Sequence, residues 1–191
     1  PSQVYFPPYL PFERGELEAY YAEIMTDREV PGVAYNYGRR MRQHFGVDQI
    51  AMMKQLLKER PDSKKMLAIT TDPNLDWSRA SNGDTPCLVM ILGSVQDNKF
   101  FLTAHFRSQD MVHGWPRNTF ALRKLQKDIA DSAEMQMGAL TMITHSAHMY
   151  GDDFSLVENL LMDHHEKALG YTPAVHFDFD KRGNVIIDIA E

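Results

Sequence analysis

The chain reads as an α+β protein, a mixed or antiparallel sheet packed with helices, and three observations point there. Two pairs of apolar runs, within 87–107 and 172–189, flank turn-rich segments in the manner of β-hairpins. Segments 12–25, 48–60, 118–135 and 153–169 carry apolar residues at helical spacing. The order of these elements lacks the strict strand-helix alternation of a doubly wound parallel sheet. With 191 residues the chain is expected to fold as a single domain, 1–191, whose core needs no disulfide or metal. Its net charge of -6 argues against a general nucleic-acid binder, because phosphate backbones demand a basic face. No apolar run approaches the ~20 residues of a membrane span. One cysteine cannot form an internal disulfide, and the first residues lack the charged-then-apolar pattern of a secretory signal, so the expected compartment is the cytoplasm.

Residues 1–11, rich in Pro, Tyr and Phe, suit an extended N-terminal arm. Leu17, Tyr20, Tyr21 and Ile24 give 12–25 one apolar stripe, with acidic residues at its start where the helix dipole favours them. Pro31-Gly32 breaks the chain, and the basic, aromatic segment 35–42 reads as a solvated turn. Ile50, Met53, Leu56 and Leu57 define the helix at 48–60, which Pro61 closes. Residues 64–71 form a strand that begins with two lysines. The span 71–86 has loop composition, with Trp77 packing locally. Runs 87–95 and 99–107 make a hairpin about Gln96-Asp97-Asn98. A turn centred on Asp97 sets Cys87 opposite Arg107, with Cβ atoms ~4.5–5.5 Å apart on one face. Ala121, Leu125, Ile129 and Ala133 mark the helix 118–135, which Gly138 ends. A strand at 139–144, a helix at 153–169 and a hairpin at 172–189 complete the chain.

Chemistry concentrates between Pro86 and Tyr150. A lone cysteine is most often a small core hydrophobe. A guanidinium opposite it changes that reading, since a nearby cation stabilises the thiolate, the attacking form. Arg107-Ser108 sets a fixed cation beside a hydroxyl, a pair suited to a phosphate oxygen. Asn118 offers a carbonyl acceptor and an amide donor, which match N3–H and O4 of uracil; its bland alternative is a helix N-cap after Pro116. His148 and Tyr150, two apart, share a face if extended and could both reach a sugar hydroxyl. His164-His165 and His145-x-x-His148 lack a coherent zinc ligand set, so no metal is expected.

Together these residues resemble the thymidylate synthase family, which includes the pyrimidine hydroxymethylases. Pro86-Cys87 looks like its nucleophile motif, and Arg107-Ser108-x-Asp110 like its phosphate and pyrimidine loop. Gly114-x-Pro116-x-Asn118 looks like its base-recognition segment and His148-x-Tyr150 like its ribose contact. Tyr37-Gly38, Asp48-Gln49-Ile50 and Pro61-Asp62-Ser63 echo the approach to its active site. The resemblance implies a thymidylate synthase-like fold and methylation of dUMP to dTMP through a covalent Cys87 adduct at pyrimidine C6. The one-carbon donor it implies is 5,10-methylenetetrahydrofolate or a related reduced pterin such as methylene-tetrahydromethanopterin. Arg107 and Ser108 would hold the phosphate, Asp110 the pyrimidine loop, Asn118 the uracil, and His148 with Tyr150 the sugar. The family's partner-subunit arginines correspond to Lys64 and Lys65, so a homodimer is implied in which these lysines complete the partner's site.

Departures from the family pattern are equally specific. Leu88 stands for the histidine after the cysteine and Phe106 for the glutamine before the arginine, while His113 and Trp115 alter a cofactor-facing segment. The family's phosphate-loop arginine, its glutamate and its tryptophans have no counterpart before Tyr37; Glu13, Arg14 or the Arg39-Arg40-Arg42 cluster are the charged candidates to replace them. Two alternatives stay open: a uracil-nucleotide 5-hydroxymethylase, and a non-catalytic nucleotide-binding or regulatory homologue.

Overall fold

Four β-strands in the order β1-β2-β3-β5 form the main sheet. They are β1 (Leu67–Ile69), β2 (Leu88–Gln96), β3 (Lys99–Phe106) and β5 (Gln136–Thr144), and a second ribbon pairs β4 (Gln109–Asp110) with β6 (Ala147–His148). The structure, a computed structural model, describes residues 6–29, 35–77 and 85–169, with side chains up to residue 162. The chain divides into two units, Pro1–Met149 and Tyr150–Glu191. Both sheets lie in the first. Residues 1–5 of the expected arm 1–11, the break at Pro31-Gly32 and the hairpin at 172–189 lie outside the described residues.

Pairing is antiparallel from β1 to β2 and from β2 to β3, and parallel from β3 to β5, so the sheet is mixed. The parallel step requires a crossover, supplied by α5 (Gly114–Asp131). This helix starts four residues earlier than the expected 118 and stops at Asp131, well before Gly138, which lies inside β5. Gly138 is needed there because the Phe101 ring lies across it, where a Cβ would fall 2.7 Å from the ring. Pro116 sits in the first helical turn, where its missing N–H has no partner to lose.

Helices α1 (Arg14–Met25), α3 (Gln49–Glu59) and α5 contribute Ile24, Met53, Leu57, Leu122, Leu125 and Ile129 to one core. It is completed by Ala68, Ile91, Phe100, Leu102, Ala104 and Phe106 from one face of the sheet. The other face is apolar but open: Leu67, Ile69 and Ile143 stay 38–42% exposed. Asp48 caps α3 by accepting from Ala51 N, and the Gln49 amide then acts as a substitute strand for β1. Gln49 Oε1 accepts from Ile69 N at 2.8 Å while its Nε2 donates to Ile69 O at 3.0 Å, which closes a free sheet edge.

Three local expectations change. Segment 35–42 is no turn: α2 (Tyr37–Arg39), capped by Asn36, continues into a π-helical turn, Arg40–His44, whose Arg40 and Met41 are buried. The span 71–86 holds α4 (Pro73–Asp76), capped by Asp72, and Trp77 is 78% exposed rather than packed. Lys64 and Lys65 precede β1 as an exposed turn instead of opening the strand. The second unit begins with a 3-10 turn, Gly151–Asp153, and continues as α6 (Phe154–Leu169), as its apolar periodicity requires. No helix among the described residues is long and apolar enough to cross a membrane.

Candidate active site

The site is assembled at the open end of the β2-β3 hairpin. Its turn is the two-residue Asp97-Asn98, both at positive φ (49° and 55°), with Gln96 facing Lys99. That pair belongs to the primed turns whose twist matches a hairpin, rather than to a turn centred on Asp97. Carried down the strands unchanged, this register would set Ser108 opposite Cys87. A bulge between Leu88 and Met90 removes one step, so that Leu88 faces Phe106 and Cys87 O accepts from Arg107 N at 2.9 Å. The expected Cys87–Arg107 pair is therefore present, through a two-residue turn and one bulge.

Thr70 secures the bulge. Fully buried at the end of β1, it donates its hydroxyl to Leu88 O and its N–H to Val89 O at 3.0 Å. Consecutive carbonyls that the bulge removes from the ladder thus keep partners.

Arg107 folds back over the segment before the cysteine. Its Nε donates to Pro86 O at 3.1 Å and its Nη2 to Thr85 O at 2.8 Å, with Nη2 3.8 Å from Cys87 Sγ. The two carbonyls hold the guanidinium beside the sulfur, and Nη1 has no acceptor among the described residues. Ser108 Oγ lies 3.3 Å from His148 Nδ1, because the parallel β4-β6 ribbon sets Asp110 beside His148. Asp110 organises the next turn. Its Oδ1 accepts from Val112 N and its Oδ2 from His113 N and Gly114 N, which places a carboxylate at the positive end of α5.

Asn118 is not an N-cap; it lies one turn inside α5, 6% exposed, and its Oδ1 accepts from the Tyr20 hydroxyl at 2.6 Å. Tyr20 belongs to a phenol cluster with Tyr35 and Tyr37, whose rings are 5.3 Å apart. Burial pushes the Tyr35 phenol up to about 12, and its hydroxyl also interacts with the Tyr37 hydroxyl and the Cys87 thiol. Burial likewise drives Tyr20 and Tyr37 far above the ordinary phenol value, and each also feels Cys87. Tyr37 Oη accepts from Leu88 N at 3.4 Å. All three phenols therefore stay protonated near neutral pH and surround the thiol with neutral O–H groups.

Cys87, Arg107, Ser108, Asp110, Asn118 and His148 thus fall in one connected neighbourhood of the first unit. Tyr150 belongs to the second unit, where its carbonyl accepts from Asp153 N. Lys64 and Lys65 do not join the neighbourhood within one chain. Met66 O accepts from Gly93 N, which puts the lysines at the turn end of the hairpin, ~20 Å along the strand from Cys87. The charged candidates for a second phosphate contact are engaged elsewhere. Arg40 forms a buried bidentate pair with Asp76, Nη2 to Oδ1 2.6 Å and Nη1 to Oδ2 3.3 Å. Arg42 donates to Ile24 O, Arg39 pairs with Glu29, Glu13 caps α1 and Arg14 lies over the Phe6 ring. Sequence reasoning missed Tyr20, Tyr35 and Thr70 as members of the site. Helical spacing marked Tyr20 as inward-facing, but nothing in it names a partner 98 residues away.

The thymidylate synthase family model matches residues 10–186. A relative from Methanosarcina mazei, described as "Putative thymidylate synthase", is 33% identical over 146 residues, 76% of this chain and 66% of its own length. Relatives with the same description from Methanothermobacter marburgensis and Methanopyrus kandleri are each 31% identical, over 78% and 80% of this chain and 66% and 72% of theirs. The chain thus spans about two thirds of the length of these relatives. Among solved structures, thermostable thymidylate synthase A from Bacillus subtilis superposes with a TM-score of 0.54 at 25% identity, over 63% of this chain and 43% of that one. From the extent of the family match and these relatives, the chain belongs to the thymidylate synthase family.

Proposed function

We propose that the protein methylates dUMP to dTMP, with Cys87 as the nucleophile. The observation that carries the reading is the guanidinium of Arg107 held 3.8 Å from the Cys87 sulfur, with Ser108, Asn118 and His148 in the same neighbourhood. The thiolate adds to C6 of the uracil ring, which makes C5 a carbon nucleophile. Arg107, through Nη1, and Ser108 take the 5'-phosphate; Asn118 takes the uracil edge; His148 takes the sugar hydroxyl. Asp110 holds the loop that carries these groups by capping α5. The phenol cluster keeps water from the thiol and offers neutral donors around it.

A reduced pterin, 5,10-methylenetetrahydrofolate or a methanopterin counterpart, supplies the one-carbon unit and the hydride. The exposed indole of Trp115, one helical turn before Asn118, is the side chain suited to stack on such a ring. The open apolar face of the sheet supports a homodimer, in which Lys64 and Lys65 from its margin would complete a partner's phosphate site rather than their own. Lysine keeps the charge there but not the bidentate fork of arginine.

Mass spectrometry of the protein mixed with 5-fluoro-dUMP and either pterin tests the reading. The expected result is an adduct on a peptide containing Cys87, lost in Cys87→Ala; no adduct with either donor overturns it. A 5-hydroxymethyl product from dUMP would reassign the protein as a hydroxymethylase. Nucleotide binding that survives Cys87→Ala, with no turnover by the parent, would make it a binding homologue.

A further inference from the structure

The sequence places Tyr20 on the inner stripe of α1, and α1 packs across α5. Its hydroxyl meets Asn118 Oδ1 at 2.6 Å, a short bond between the half-buried phenol and the buried amide. Asn118 is the only hydrogen-bond partner of this hydroxyl among the described residues. Burial, reinforced by Glu23, drives the phenol far above its ordinary value, so the oxygen carries its proton at any working pH. That proton goes to the carbonyl oxygen of Asn118.

The bond fixes which way the amide faces. Oδ1 turns toward Tyr20 with one lone pair spare, and Nδ2 turns away. A ring that offers a carbonyl acceptor beside an N–H donor, as uracil does at O4 and N3, satisfies both atoms as they stand. Cytosine presents an amino donor beside a ring-nitrogen acceptor and needs the amide reversed. Reversal would bring Nδ2 to the phenol oxygen and leave the phenol proton without an acceptor. Stranding one buried donor weakens binding by roughly tenfold to a hundredfold.

We propose that Tyr20 is a positioning residue that orients the Asn118 amide and so sets the preference for uracil over cytosine nucleotides. The proposal rests on the reading of Asn118 as the uracil contact, and its test separates the two. Calorimetric titration of dUMP and dCMP into the parent protein checks the reading first: dUMP is expected to bind at least tenfold more tightly. A parent that binds neither, or binds dCMP as well as dUMP, overturns the uracil reading and the role of Tyr20 together.

With dUMP preferred by the parent, Tyr20→Phe keeps the ring and removes the donor. Its preference for dUMP is expected to fall about tenfold or more, with the melting temperature little changed. In an Asn118→Ala background the same substitution is expected to leave the dUMP to dCMP ratio unmoved. A Tyr20→Phe protein that keeps the parental ratio, or that weakens both nucleotides equally, overturns the proposal while the uracil reading stands. Tyr20→Leu, which also lacks a donor, carries the same expectation should the phenylalanine variant fail to fold.

Discussion

Asp76 shows how much one carboxylate can carry from a segment of loop composition. It accepts both arms of the Arg40 fork and the N–H of Asp72, while His44 Nε2 sits 2.7 Å from Asp72 Oδ2. Removing one member of a buried pair leaves the other charge without compensation. Asp76→Ala is therefore expected to lose ~3–5 kcal/mol of stability, read from urea unfolding. Arg40→Met should lose less, because it removes the buried cation and leaves a carboxylate that still accepts from backbone N–H. The three phenols make a prediction of the opposite pH sense to a paired carboxylate. Their folded-state values lie above the ordinary phenol value of about 10, so the folded chain holds protons that the unfolded chain releases. Stability is full below pH 10 and falls as pH rises from there through about 12, the folded value of Tyr35. Tyr35→Phe should make that fall shallower when the urea midpoint is followed against pH.

At the level of elements, the β2-β3 hairpin is where sequence reasoning and the structure agree by different routes. The apolar runs identified both strands, and turn residues located the connection. A centre at Asp97 was one half-step from the real turn, and the bulge compensated for the difference. No local pattern announces such a bulge, because Leu88, Val89 and Met90 are all good strand residues. It is held by Thr70 from the neighbouring strand. Thr70→Val keeps the shape and withdraws the hydroxyl from a buried carbonyl. We expect a loss of ~1–3 kcal/mol on urea unfolding and slower alkylation of Cys87 by iodoacetamide, as the Cys87–Arg107 register loosens. Unchanged stability would mean that Leu88 O does not depend on this bond. The start of α5 was misread for a related reason. Asp110 caps it through a three-residue reach that resembles an ordinary loop in sequence, and so Asn118 looked like a cap when it is an interior residue.

On the scale of the molecule, the open sheet face is the feature that one chain leaves unfinished. Leu67, Ile69, Leu92 and Ile143 lie on the side opposite the core, and burying them in water-free contact is worth ~25 cal/mol per Å2. Sedimentation velocity is expected to find a dimer for the parent and a monomer for Ile143→Glu, which puts a charge at the edge of that face. A parent that sediments as a monomer would remove the shared-site role of Lys64 and Lys65. What the sequence determined by itself were the properties carried by local pattern. Periodicity identified the helices and strands, and the ordered set Cys87, Arg107, Ser108, Asp110, Asn118 and His148 identified the family. Tertiary structure alone decided which partners those residues meet. Tyr20 reaches Asn118 across two packed helices, Thr70 holds a bulge from a neighbouring strand, and Arg40 is consumed by Asp76. Each is a contact between segments distant in the chain, and hydrogen bonds of that kind depend on a few tenths of an ångström of packing that no spacing of residue types encodes.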